Sequence, residues 1–289
     1  MIKFIVVGLL LTGCIKKEEN HYHQCRPAKK QPTGFVKDIE QTLINGDVVD
    51  PKDFPATFKT TIGNSWCTGT LIGPRVLQLA SHCVPNGGKA SFSSNGVTYT
   101  GTCQRHPAYN GDETADYALC YLDKVADVAF YETVTHEEVA IGETIYLAGY
   151  GCKYPGGNDK PDGKLRVGPS EVIQLPIDSN DIVTEKNAAL CYGDSGGSVF
   201  KKDSKGILKV VAINSRGDIE TTSYLPALYT VPAKSFYISW AAGKKAFICG
   251  LSGDDPKCRG YVAPEPPPAP EPSPSPSPTP TPIPELPEC

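Results

Sequence analysis

A short polar run at residues 191–198, Cys-Tyr-Gly-Asp-Ser-Gly-Gly-Ser, lies between apolar segments and presents the hydroxyl of Ser195 among three glycines. Glycine enters the positive-φ region at little steric cost, so Gly193, Gly196 and Gly197 permit a tight, exposed turn around the serine. Such a turn can direct backbone N–H groups at one point, which is what an oxyanion hole requires. The same residue types are common in ordinary loops, so the run does not establish chemistry by itself.

Two further residues supply what a serine nucleophile needs. His82 lies in Ala-Ser-His-Cys at residues 80–83, and Asp116 begins Asp-Tyr-Ala-Leu at residues 116–119. A serine hydroxyl requires an adjacent base, and an imidazole that titrates near ~6.5 can take and return a proton at neutral pH. Asp116 would hold the imidazole in the right tautomer and stabilise the imidazolium. Separately they could be a core histidine and a capping aspartate; their joint context favours nucleophilic catalysis.

The order His82, Asp116, Ser195, with Gly-Asp-Ser-Gly-Gly around the serine, resembles the trypsin/chymotrypsin-like serine protease family. The resemblance extends from Ile-Asn-Gly at residues 44–46 to about Ser-Trp at 239–240. It includes Cys-Thr-Gly-Thr-Leu-Ile at 67–72, Gly-Tyr-Gly at 149–151, Ser-Arg-Gly at 215–217 and Leu-Tyr-Thr at 228–230. It implies a serine endopeptidase that cleaves polypeptides through an acyl-enzyme, with oxyanion-hole N–H groups from Gly193 and Ser195 and with no cofactor or metal. The alternative is a catalytically silent homologue that binds peptides or envelope partners.

The resemblance also implies an activation step at residues 43–44. Cleavage before Ile44 would create an α-amino group, which the buried carboxylate of Asp194 would receive, and this pair would order the oxyanion hole. The residue before Ile44 is Leu43 rather than lysine or arginine, so a trypsin-like activator would not cut there. Activation by another protease, or activity without cutting, stays open.

The specificity pocket that the resemblance implies lacks the charge of a trypsin. Ala189 stands where a trypsin carries aspartate, so the pocket is expected to be neutral and of modest size, and cleavage to follow a neutral residue. Asp218 or Glu220 could instead supply an acid from the pocket wall. The pocket is expected to be formed by Ala189, Ser215, Gly217 and Ala227, with Arg216 in place of a frequent tryptophan.

Short apolar or β-branched runs alternate with Gly/Pro/Asn/Asp turns from residue 44 onward, a pattern that indicates a sandwich or barrels. Only residues 235–246 have a helical pattern. The resemblance selects an all-β fold, namely two packed antiparallel six-stranded β-barrels (chymotrypsin-like) with a C-terminal helix. This protease domain is expected to span residues 44–261.

The chain contains 11 cysteines, a number that favours an oxidising compartment. The resemblance implies a bridge between Cys67 and Cys83, and it places Cys152 near Cys191, so these two could pair. Spacing alone leaves the remaining connectivity open. Two further local pairs could form, Cys103 with Cys120 and Cys249 with Cys258, which leaves Cys14, Cys25 and Cys289.

The N-terminus has a lysine, an apolar run at residues 4–11 and then Leu-Thr-Gly-Cys, and it resembles a bacterial lipoprotein signal peptide at residues 1–13. The apolar run is too short to span a membrane. Lipidation of Cys14 would anchor the protein in the bacterial cell envelope, facing an oxidising compartment, with release possible after pro-segment cleavage. The alternative is an ordinary signal peptide with a chance cysteine.

Residues 14–43 are polar and are interpreted as a tether or pro-segment. His-Tyr-His-Gln-Cys at residues 21–25 has metal-ligand types, but a solvated linker is the preferred interpretation, and no metal is expected. Residues 262–289 form a Pro-rich tail predicted to be disordered, with extended polyproline II character, and they fit a spacer better than a docking site. The formal net charge of −4 gives no basic footprint for nucleic acid.

Overall fold

The computed structural model describes residues 43–159, 161–253 and 255–261. The predicted signal peptide, the lipidation site Cys14, nearly all of the pro-segment and the Pro-rich tail lie outside these residues. The described part is built mainly of β-strands: β1 (Asp47–Val48), β2 (Thr57–Ile62), β3 (Ser65–Gly73), β4 (Val76–Leu79), β5 (Lys89–Ser94), β6 (Val97–Arg105), β7 (Ala118–Leu122), β8 (Thr144–Gly149), β9 (Arg166–Gln174), β10 (Asp181–Asn187), β11 (Ser198–Lys202), β12 (Leu208–Ile213), β13 (Arg216–Gly217) and β14 (Ser223–Pro226).

The first half is a closed six-stranded antiparallel barrel in the order β2-β3-β4-β7-β6-β5. The barrel closes through the pairing of Thr61 on β2 with Ser91 on β5. Its interior holds Leu71, Leu77 and Phe92, all at most 3% exposed. Alternate residues of a strand point to opposite faces, so these apolar side chains fill the barrel while the turns stay in solvent.

The second half is an eight-stranded antiparallel sheet in the order β12-β11-β8-β9-β10-β14-β13, with β1 paired to β9. A single bridge between Ala212 on β12 and Ala227 just after β14 joins the two sides of this sheet. Six of these strands therefore correspond to the second six-stranded barrel that the sequence predicts. The two additional strands, β1 and β13, are two residues long and each pairs with one neighbour.

One α-helix, α1 (Val231–Lys244), follows the second half. It begins four residues before the predicted segment, because Pro232 lies in the first turn, where its missing N–H is not needed. Its buried residues recur at helical spacing on one face, and the hydroxyl of Tyr237 donates to Gln78 Oε1 in the first barrel at 2.8 Å. These residues are Ala233, Phe236, Tyr237, Trp240 and Ala241. In the described part of the chain no helix has both the length and the apolar character that a membrane crossing requires.

Four disulfides connect the described cysteines, and all four match the pairs considered from the sequence. Cys103 and Cys120 face each other on the neighbouring strands β6 and β7. The complete set is Cys67–Cys83, Cys103–Cys120, Cys152–Cys191 and Cys249–Cys258. Such bonds form and persist in oxidising compartments, so they favour an extracytoplasmic environment.

Candidate active site

His82 lies in a short 3₁₀ helix (Ser81–Cys83) that follows β4 of the first barrel, and Asp116 lies just before β7. The pairing of β4 with β7 brings the two residues together. Asp116 Oδ2 lies 2.7 Å from His82 Nδ1, and Asp116 Oδ1 accepts the backbone N–H of His82 at 2.8 Å. Two contacts from one carboxylate fix both the position of the histidine and the rotation of its ring.

The Asp116 carboxylate is held in its charged form. Burial by itself would raise the pKa of Asp116, but hydrogen bonds and the charge of His82, together with the Ser215 hydroxyl, bring it below its ordinary value. Ser215 Oγ donates to Asp116 Oδ2 at 2.6 Å. A carboxylate that stays ionised can keep Nδ1 of the imidazole protonated, which leaves Nε2 as the nitrogen that can accept a proton.

Ser195 lies in the loop between residue 190 and β11, in the second half of the molecule, and its hydroxyl donates to Ser215 O at 3.4 Å. In the described part of the chain it makes no hydrogen bond to His82, although both side chains line one cavity. The glycines are needed sterically. A Cβ on Gly193, where φ is +99°, would lie 2.0 Å from the Trp66 ring, and one on Gly196 would lie 2.4 Å from Thr68 O.

The amide nitrogens of Gly193 and Ser195, which the sequence assigns to an oxyanion hole, have no intramolecular acceptor among the described residues. The carbonyl oxygens of the same two residues are both held by Thr68 on β3. Thr68 carries no chemistry of its own and was not found by sequence reasoning. Only its place next to Cys67, in a segment that matches the family, could have pointed to it.

Asp194 is fully buried and has no cation within ion-pair distance in the part of the chain that the structure describes. Its carboxylate accepts the backbone N–H of Gly151 at 2.8 Å and that of Cys191 at 2.9 Å. Burial raises the pKa of Asp194 to about 7, and these two donors, together with the more distant charge of Arg166, offset only part of that effect. The site therefore contains a buried carboxylate with no directly paired cation, an arrangement that is costly unless one is supplied.

Ile44 forms an isolated antiparallel bridge with Ala189. Its amide nitrogen donates to Ala189 O at 3.2 Å, and its side chain packs against Cys152 and Cys191. The preceding residue, Leu43, is 1% exposed and packs into the apolar core of the second half. The nitrogen that the sequence assigns to Asp194 is thus already engaged with another acceptor.

A cavity of about 410 Å³ opens beside Ser195 and His82. Of the four predicted pocket residues, Ser215 and Gly217 line it, whereas Ala189 and Ala227 are fully buried and lie outside its lining. The lining that sequence reasoning missed is Tyr109, Glu113, Leu190, Tyr192 and Ile219. They come from three segments, which lie before β7, before β11 and after β13, so their meeting in one wall depends on the fold and not on a single motif.

Arg216, which also lines this cavity, forms an ion pair with the buried Asp181 and donates to the Glu113 carbonyl. The Asp218 carboxylate accepts the amide N–H groups of Glu220, Thr221 and Thr222 in its own turn. Although partial burial acts in the opposite direction, these donors lower the pKa of Asp218 to about 2. Asp218 is therefore engaged in shaping the turn.

One closed barrel, a second barrel-like sheet and a C-terminal helix define the chymotrypsin-like class of proteins. The trypsin family model matches residues 43–240, which is more than half of the chain, so this protein belongs to the trypsin family of serine peptidases.

Three relatives show how distant the similarity is. A trypsin-like protease of Streptomyces glaucescens is 26% identical over 70% of this chain and 83% of its own length. Human granzyme M is 24% identical over 68% of this chain and 87% of its own. The glutamyl endopeptidase of Bacillus licheniformis is 21% identical over 67% of this chain and 63% of its own.

The unpaired Asp194 predicts that the uncut chain loses stability as the pH rises. Between the ordinary value of 3.8 and about 7, the folded chain binds more protons at Asp194 than the unfolded chain does, so the free energy of unfolding falls through this window. Urea unfolding at pH 5 and pH 8 should show that Asp194→Asn removes more than ~1 kcal/mol of this decrease. The exposed Asp53→Asn serves as the control, and an equal slope in both variants would contradict the assignment.

Proposed function

We propose that this protein is a serine endopeptidase in which Ser195 is the nucleophile, His82 the general base and Asp116 the residue that orients His82. The proposal rests on one observation. The Asp116 carboxylate contacts both the ring Nδ1 and the backbone N–H of His82, and Ser195 lines the same cavity as His82. In the reaction, Ser195 Oγ turns from Ser215 O towards His82 Nε2 and bonds to the substrate carbonyl carbon. His82 takes the hydroxyl proton and gives it to the leaving amine as the C–N bond breaks.

The second half of the reaction regenerates the enzyme. Water donates a proton to His82 and attacks the acyl-enzyme, and the same proton returns to Ser195 as the ester bond breaks. In both halves the negative oxygen would bind the amides of Gly193 and Ser195. Among the described residues neither amide has an acceptor, and this supports the role.

The nucleophile assignment predicts that Ser195→Ala abolishes labelling by a fluorophosphonate probe and lowers peptide hydrolysis by at least ~1,000-fold. Ser198→Ala, three residues on and buried against Gln78, is the control that should keep the label. Unchanged hydrolysis by Ser195→Ala would overturn the proposal. Absence of label in the wild-type chain, before and after pro-segment removal, would favour the catalytically silent, peptide-binding alternative.

For activation, we propose that proteolysis supplies the cation that Asp194 lacks. The sequence places the new α-amino group on Ile44, but the Ile44 nitrogen donates to Ala189 O and Leu43 is buried in the core. A cut between Leu43 and Ile44 would detach this buried leucine from the domain. We therefore favour the bond one residue earlier, between Thr42 and Leu43, where the family match also begins.

N-terminal analysis of the most active fraction should therefore find Leu43 as the first residue. The uncut chain should be at least ~10-fold less active, because Asp194 stays unpaired. Ser195→Ala protein treated in the same way separates cleavage by another protease from self-cleavage. A fully active chain with residues 42–44 uncut would contradict the activation proposal. An active chain that begins at Ile44 would instead support cleavage between Leu43 and Ile44, the bond predicted from the sequence.

For specificity, we propose cleavage after neutral, medium-sized side chains. Leu190 and Ile219 give the cavity apolar walls, and the Asp218 carboxylate is engaged in its own turn. Glu113 also lines the cavity, but its side chain is exposed, and an exposed ion pair contributes at most ~1 kcal/mol. Burying an unpaired lysine or arginine head group would cost more than that.

A peptide library varied at the residue before the cut should prefer leucine, methionine or valine over lysine and arginine by at least ~10-fold. Ile219→Ala should move the preference towards larger side chains, since Ile219 forms part of the cavity wall. Ile177→Ala, on the exposed surface, should leave the preference unchanged. A preference for lysine or arginine would refute the neutral pocket and direct attention to Glu113 and Glu220.

For location, we propose that Cys14 is lipidated and tethers the domain to the bacterial cell envelope. The support is the Leu-Thr-Gly-Cys run after a short apolar segment, together with four disulfides that fit an oxidising compartment. After the activating cut, the domain would stay attached only through another covalent link, for which Cys25 is available. The substrate would then be a polypeptide outside the cytoplasm.

A further inference from the structure

Thr68 connects the first barrel to both residues that flank Asp194. It lies on β3 and is fully buried. Its backbone N–H donates to Ser195 O at 2.9 Å, and its hydroxyl donates to Gly193 O at 2.8 Å. The same hydroxyl accepts the backbone N–H of Tyr150 at 3.0 Å.

The direction of these hydrogen bonds is fixed by chemistry. The Tyr150 amide can only donate, so the Thr68 hydroxyl must accept from it, and the Gly193 carbonyl can only accept, so the hydroxyl must donate to it. Both functions of the hydroxyl are therefore in use, inside a site without solvent exposure. A side chain held in this way fixes the position of the carbonyl that it contacts.

The residue whose carbonyl the Thr68 hydroxyl holds is a glycine at positive φ. Gly193 has a φ of +99° and no side chain of its own to anchor it. The Gly193 amide shares a peptide plane with the Tyr192 carbonyl, which accepts the Cys152 N–H at 3.1 Å. The Gly193 carbonyl lies in the next peptide plane, which the Thr68 hydroxyl holds. With both planes held, the rotations about Gly193 that would turn its amide away from a substrate are restricted. We propose that Thr68 is a positioning residue for the oxyanion hole, an inference that rests on the proposed function of Ser195.

A neighbouring contact reinforces this inference. The amides of Tyr150 and Gly151 are consecutive, and the first donates to Thr68 while the second donates to Asp194. The segment at residues 149–151 thus contacts both Thr68 and Asp194, the two residues that hold the loop carrying Ser195. Asp194 holds the loop through a carboxylate, whose buried charge requires a cation. Thr68 holds it through a neutral hydroxyl, which requires no counter-charge.

The test compares variants of the full chain after identical activating treatment. Thr68→Val keeps the shape and removes the hydroxyl, so kcat should fall ~10- to 100-fold while KM changes less than ~3-fold, because a misplaced oxyanion donor acts on the transition state. Thr68→Ser restores the hydroxyl and should recover kcat to within ~3-fold. Thr70→Val is the matched control, since Thr70 lies two residues on along β3, is fully buried and has an unpartnered hydroxyl.

Binding of a peptide boronate, which imitates the tetrahedral state, should weaken in Thr68→Val in parallel with kcat/KM. The inference would be overturned if Thr68→Val kept the wild-type kcat, or if its kcat fell no further than that of Thr70→Val. It would also be overturned if Thr68→Ser did not recover kcat. If Thr68→Val does not fold, as judged by its unfolding midpoint, Thr68→Ala replaces it in the same comparison. A wild-type chain that no fluorophosphonate labels would refute the proposed function, and this inference with it, whereas a labelled wild-type chain isolates the role of Thr68.

Discussion

The buried carboxylate of Asp194 is the constraint on which the arrangement of the site depends. Removing a charge from water is costly, and here the carboxylate has two backbone donors, on Gly151 and Cys191, but no cation within ion-pair distance among the described residues. The Cys152–Cys191 disulfide joins the same two segments covalently. The hydrogen bonds and the disulfide thus hold the loop that carries Ser195, and the lack of a directly paired cation gives a physical reason why a new amino group would stabilise it.

The site also depends on how the two halves pack, because neither half contains all of its parts. The first barrel contributes His82 and Asp116, and the second contributes Ser195 and Ser215. Side chains from both halves and from α1 share one apolar core. The hydroxyl of Tyr117 crosses the junction to donate to the carbonyl of residue 227 at 3.0 Å. A shift between the halves would therefore separate His82 from Ser195 before it disturbed either barrel.

Sequence reasoning succeeded where short motifs carry the information. It grouped the three residues of the proposed triad, found the two-barrel fold from the resemblance and considered the four cysteine pairs that the structure contains. It did not single out β5, Lys-Ala-Ser-Phe-Ser-Ser, because this strand has no β-branched residue. It assigned Ala189 and Ala227 to the pocket, whereas both are fully buried and neither lines the cavity, since the lining is set by how several loops approach each other.

Two kinds of contact hold the loop that carries Ser195, and they respond differently to conditions. The hold through Asp194 depends on charge, so it changes with pH and with the arrival of a cation. The contacts of Thr68 are neutral hydrogen bonds from a strand of a closed barrel, and none of their partners titrates near neutral pH. In the uncut chain the Thr68 anchor is already formed while the Asp194 anchor is incomplete. Proteolysis would then complete a loop whose Gly193 carbonyl is already positioned, rather than order the whole loop from the beginning.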